Sequence, residues 1–260
     1  GGLGNHVNEV YASNIAGRYN IVSGTHSVNV GGMSNTVSEE FSITAGGVSN
    51  SINGEMSFVA GGFNNQVSGT SSAVIGGQDN TVSGNHSGIV AGHQNNIATN
   101  SNNSIILAGS QNGVSSTHSG IIAGREHHIS SGASFSVIAG GVSNAVYGEM
   151  SFVAGGHNNS VNGASSAIIA GYNNNIETSA FHSGIIAGSD NEIKSSGYFS
   201  SNIAGQSNSI EDGWSSNIAG MSNSIKGQYS VNLGGLGNHV NEVYASNIAG
   251  RYNIVSGTHS

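Results

Sequence analysis

The sequence has no cysteine and no proline, and only 7% of its 260 residues are charged. Without cysteine there is neither a disulfide scaffold nor a thiolate metal site. Thirteen acidic residues against five basic ones give a formal charge of −8, with no basic stripe. Nucleic-acid binding through phosphates therefore has no electrostatic footprint, and no nucleic-acid partner is expected. No apolar run approaches the roughly 18 residues of a membrane-crossing helix, so no membrane span is expected. No signal-peptide pattern is present either.

What is abundant is glycine, at 42 residues, together with serine and asparagine. Gly/Ser-rich tracts are commonly flexible. Here the hydrophobic fraction is 36% and valine and isoleucine recur at fixed positions, which argues for a packed chain.

The recurrence is a short repeat, clearest over residues 57–70, SFVAGGFNNQVSGT. Counting from an anchor glycine, here Gly62, the next anchor follows after 15 residues, or after 17 at Gly109, Gly141, Gly188 and Gly205. Position −1 is always Gly or Ala, and position +5 always Val or Ile. Position −5 is Ser except at Ala12 and Ala245. Position +3 is Asn5, Asn20, Asn35, Asn50, Asn65, Asn80, Asn95, Asn112, Asn144, Asn159, Asn174, Asn191, Asn208, Asn223, Asn238 and Asn253, with His127 as the one replacement. The two extra residues of the longer repeats always fall between the Val/Ile and the next Ser, as a surface-turn insertion would.

A longer period is superimposed. Residues 1–27 recur letter for letter as 234–260. The expectation is one repeat array over 1–260, a superrepeat of residues 1–233 followed by the start of the next, cut from a longer tandem series.

A period well below domain size points to a solenoid. Fifteen residues rich in Ser, Asn, Gly and β-branched side chains disfavour helix and suit two short strands with two turns. The expected fold is all-β, a parallel β-solenoid of about 17 two-strand coils. Strand A would cover residues 57–61 and their equivalents, and strand B residues 65–68. Stacked asparagines would form an amide ladder satisfying turn backbone groups.

Strand B alternates, with Val67 apolar between Gln66 and Ser68. Strand A is often apolar throughout, as in Phe58-Val59-Ala60 or Ile121-Ile122. A second apolar face implies an interface. Strand A is accordingly expected to lie against another copy of the chain, through Phe58, Ile106, Ile121, Phe152 and Ile185, with a three-fold bundle as a natural closed form. Asn14, Asn29, Asn202, Asn217, Asn232 and Asn247 interrupt these runs, either setting register between chains or marking a wetter zone.

Position −6 gathers seven of the aromatic residues. Tyr11, His26, Phe41, Phe135, Phe199, Trp214, Tyr229 and Tyr244 form a row that reads as a space-filling corner ladder or as a surface stripe for sugars or partner proteins.

The motif S-x-x-x-x-G-x-x-N-x-[VI]-x-G, at 57–69 and 151–163, resembles the head repeats of trimeric autotransporter adhesins, the YadA-like heads. The resemblance covers essentially the whole chain, with periods of 15 and 17 residues against about 14 in that family. It implies a left-handed, homotrimeric β-roll displayed outside the cell, extending from or connecting cells and binding host matrix or other cells.

Other solenoid chemistries fit less well. Calcium-binding nonapeptide repeats need an aspartate in each turn, and only Asp79, Asp190 and Asp212 are present. Threonine is too sparse for an ice-binding array. Five histidines share position −6, but carboxylate partners are lacking, so no metal or cofactor is expected. No nucleophile signature accompanies the Ser and His residues, so no enzyme is expected. The expected function is an extracellular structural and adhesive fibre segment, with a monomeric ligand- or ice-binding solenoid as the alternative.

Overall fold

The computed structural model describes residues 1–260, which form two compact units, Gly1–Ser131 and Gly132–Ser260. Each unit is a parallel β-solenoid without helix, and together they hold about 17 turns. Every strand is two residues long. Strand A, as in Phe58–Val59, lies at positions −4 and −3; strand B, as in Gln66–Val67, lies at +4 and +5.

Each strand pairs in parallel with its equivalents one turn away. In the first unit Phe58 faces Ala73, which faces Gly88. In the second, Phe152 faces Ala167, which faces Gly184. A single-residue bridge at position +1, as in Val48↔Phe63↔Gln78, forms a third side. The 17-residue turns keep this register, for Ile105 pairs with Gly88 across the longer step. Their insertion reaches inward as well as out. Ser101 and Ala180 are fully buried, and the Ser101 hydroxyl donates to the Val114 carbonyl at 3.0 Å.

Three residues in each turn have positive φ: the anchor glycine, position +2 and position −6. At the anchor only glycine fits. A Cβ on Gly62 would sit 2.2 Å from the Gly77 carbonyl oxygen and 2.6 Å from the Asn65 amide nitrogen.

The core is built from two inward rows. Position +5 supplies Val37, Ile52 and Val67 in the first unit and Val146, Val161 and Ile176 in the second, all fully buried. Position −3 faces them from strand A, with Val59, Val74 and Ile89 or Ile138, Val153 and Ile168. β-Branched side chains suit such half-pleated positions.

This alternation corrects the expected interface. Ile106, Ile121 and Ile185 occupy position −3 and are fully buried within their own chain. The outward residues are those at −4 and −2, among them Phe58 and Phe152, Leu107, Ile122 and Ile186. Successive residues of a strand point to opposite faces, so choosing the wrong member of an Ile-Ile pair reverses the face. The strand A asparagines are corrected in the same way. Asn29, Asn202, Asn217 and Asn232 stand at −3, buried in the chain's own interior.

Candidate interaction surface

Two polar ladders fix the corners that carry the outer faces. Along the first, the backbone N–H of Asn65 donates to Asn50 Oδ1 at 3.0 Å. Its Nδ2 donates to the carbonyls of Gly61, at 3.2 Å, and Gly77, at 3.0 Å. Asn174 repeats the pattern in the second unit, with its N–H 3.0 Å from Asn159 Oδ1. Each side chain thus satisfies backbone groups that a tight corner would otherwise leave unpaired. His127, buried at the same position, keeps the backbone bond to Asn112 Oδ1 at 3.0 Å.

The second ladder runs through the serines at −5, to which the sequence reading gave no role. Ser57 Oγ donates to the Gly69 carbonyl at 2.8 Å and accepts from the Ser72 N–H at 3.1 Å. In the second unit the Ser166 N–H donates to Ser151 Oγ in the same way, at 3.2 Å. The recurrence of serine in all repeats but two was the available signal, since a hydroxyl both donates and accepts.

Inside the second unit the position −3 asparagines form a third ladder. Asn217 donates to Asn202 at 3.3 Å, Asn232 to Asn217 at 2.7 Å, and Asn247 to Asn232 at 2.7 Å. In the first unit Asn29 donates to Asn14 at 2.9 Å.

The position −6 row is a column of stacked rings. In the second unit His182, Phe199, Trp214, Tyr229, Tyr244 and His259 follow one another with centroids 4.4 to 6.0 Å apart and interplanar angles of at most 17°. In the first, His26 lies between Tyr11, at 4.7 Å, and Phe41, at 5.0 Å. Phe135 is exposed at the same position. Each ring covers its neighbour's face and turns its edge to water. Aromatic recognition of sugars and cations uses ring faces, so this column has little of that surface to offer.

No three His, Asp or Glu side chains come together as a metal ion requires. A polar cleft of about 400 Å³ lies over Asn158, Asn173, Asn175, Asp190 and Glu192. Its groups are engaged with one another: Asn158 donates to Asn173 at 2.9 Å and Asn173 to Asp190 at 2.8 Å. In the first unit the Asp79 carboxylate accepts from Asn64 Nδ2 at 2.7 Å and Gln78 Nε2 at 3.0 Å, which holds its pKa below the ordinary value.

The outer face of strand A is a further surface. Positions −4 and −2 carry no charged residue in either unit. Leu107 is 38% exposed, Ile122 47% and Ile186 50%. Positions +4 and +6 on strand B contrast with this, carrying mostly Ser, Asn, Thr, Glu, Lys and His. No protein-family model matches the chain, and no curated protein matches its sequence significantly.

Proposed function

We propose that the chain is a segment of an extracellular structural and adhesive fibre in which three copies pack side by side through the outer face of strand A. One observation carries the reading: an uncharged, apolar strip repeated turn after turn along the outer face of strand A. Soluble chains seldom leave such a strip to water. Covering the exposed half of one isoleucine or leucine stabilises an assembly by on the order of 1 kcal/mol, and the gain recurs along the stack. The number of copies, the extracellular setting and adhesion to host matrix, cells or carbohydrate rest on the resemblance to the YadA-like heads. The polar strand B face and the ring edges at −6 then remain outside for such contacts.

Sedimentation equilibrium tests the reading. The chain is expected to run as a discrete oligomer, and Leu107→Asp with Ile186→Asp to give folded monomer. The same charges at Ser51 and Ser160, on strand B, should leave the oligomer intact. A folded wild-type monomer would overturn the assembly and return the chain to the ligand-binding alternative.

A further inference from the structure

The two outward rows of strand A are matched in size. In four of the seven turns where position −4 is large, −2 is alanine: Ile43 with Ala45 and Phe58 with Ala60 in the first unit, Val137 with Ala139 and Phe152 with Ala154 in the second. Where −4 is small, −2 is large: Ala73 with Ile75 and Gly88 with Val90, then Ala167 with Ile169 and Gly184 with Ile186. In no turn are both small. A face turned to water has no reason to conserve the volume of each turn. A close-packed contact has, because voids and overlaps both destabilise it.

The two residues that compensate are on the same side of the same strand, two positions apart. Position −3 between them points inward, so both present their side chains to the same outer face. A second strand A laid against that face would meet both. When copies are related by rotation about an axis along the stack, heights are preserved and the −4 edge of one strand A meets the −2 edge of the next. A large residue at −4 then faces the neighbour's small residue at −2 in the same turn.

Resting on the assembly proposed above, we infer that these size pairs are a register code by which a second copy of this chain docks in parallel and at equal height. A slip of one turn in one direction sets Phe58 against Ile75 and Phe152 against Ile169, two large residues in one place. The opposite slip sets Ala73 against Ala60 and Ala167 against Ala154, leaving voids. An antiparallel contact would pair different turns and gain nothing from complementarity within a turn. Ile105 with Leu107 is large at both positions, and the structure shows where the excess goes. Ile105 Cγ2 leans over Gly120, lying 3.2 Å from where a Cβ would be. Val28 with Val30 and Val231 with Leu233 are not explained by the size pairing.

The test compares three chains by sedimentation equilibrium, with circular dichroism confirming the fold of each. Ala60→Phe places two phenylalanines in one contact and is expected to weaken association at least about tenfold. Adding Phe58→Ala exchanges the two sizes and is expected to restore it. A general stickiness of the face predicts the reverse, since Ala60→Phe adds apolar surface. Association unchanged or strengthened by Ala60→Phe, or not restored by the exchange, overturns the code while leaving the assembly standing. A monomeric wild type overturns the assembly itself. Should the first-unit variants misfold, Ala154→Phe with Phe152→Ala asks the same question in the second unit.

The absence of native cysteine allows a direct reading of height. Chains carrying Phe58→Cys are refolded with chains carrying Ala60→Cys or Ile75→Cys and bridged with a short thiol-reactive linker. Cross-linking is expected with Ala60→Cys. Equal or stronger cross-linking with Ile75→Cys overturns the equal-height register.

Discussion

The second unit holds the same fold together in two ways. From Ile138 to Ile185 its strand A interior is hydrocarbon, and from Asn202 to Asn247 it is a column of amides. Opposite both stands the same kind of row, with Val161 and Ile176 facing the first stretch and Ile210 and Ile225 the second. A buried amide is tolerable only when its polar groups are paired, and here the partner is the next asparagine. The amide stretch therefore depends on its own continuation, whereas a buried isoleucine is content with any apolar neighbour. The first unit shows what an interrupted column costs. Thr44 stands where the next amide would be, and the buried Asn29 Oδ1 has no hydrogen-bond partner.

The corner changes along with the interior. Every turn with Asn or Thr at −3 has a ring at −6: Phe199, Trp214, Tyr229 and Tyr244 in the second unit, Tyr11, His26 and Phe41 in the first. Hydrocarbon turns also tolerate Met56, Ser71, Met150 and Ser165 there. The position has positive φ throughout, for instance 59° at Trp214 and 55° at Ser165. Outside glycine this conformation costs about 1–2 kcal/mol. A stacked ring pair returns about 0.5–1.5 kcal/mol beyond its burial. Where hydrocarbon is missing inside, stacking outside supplies part of the stability.

The comparison can be broken most severely from within. Ile185→Asp places an unpaired charge in the hydrocarbon interior and is expected to abolish cooperative folding, as read by urea denaturation. Exchanging the two chemistries tests them more finely. Ile168→Asn introduces an isolated amide and a poor fit, expected to cost about 3 kcal/mol. Asn217→Val strands Asn202 Oδ1 and Asn232 Nδ2, with an expected cost of about 2 kcal/mol. If Ile168→Asn proves the milder of the two, dependence on a continuing column is refuted.

The corner separates the regions again at lower energy. Ser165→Gly relieves backbone strain where no ring is lost, and should raise stability by about 0.5–1 kcal/mol. Trp214→Gly loses its stack on Phe199 and Tyr229 and should destabilise, though by about 1 kcal/mol less than Trp214→Ala. Equal effects of glycine at both sites would mean the stack contributes nothing.

The smallest effect is set by pH. Asn64 and Gln78 hydrogen bonds favour the ionised Asp79 and lower its pKa below the ordinary 3.8. Its contribution is complete above that value and is lost as pH falls through the lowered folded value. Asp79→Asn should remove this slight acid-side loss from the urea midpoints.

The solenoid was legible in the sequence because its determinants repeat at a fixed spacing. Asn65, Val67 and Gly62 each announce a corner or an inward face many times over. The faces of strand A were harder to read. In Ile121-Ile122 both residues are apolar, and nothing local says which points inward. The decisive signal was distributed along the chain, in the alternation of Phe58 and Gly88 at −4 against an almost unbroken Val/Ile/Asn row at −3. The asparagines of strand A misled for a related reason. A polar residue normally marks the wet side, and only a run of identical neighbours makes a dry interior acceptable.

Pairing between consecutive turns also sets how the chain meets a pull along its axis. A paired turn adds only about 4.8 Å of height, yet its 15 residues drawn straight span about 50 Å. Each turn that peels away therefore lengthens the tether roughly tenfold over the height it gave up. Neighbouring turns need not yield with it, since stacked repeats are held by nearest-neighbour contacts. The repeat that makes the molecule monotonous to read makes it a reserve of slack, released one turn at a time under load.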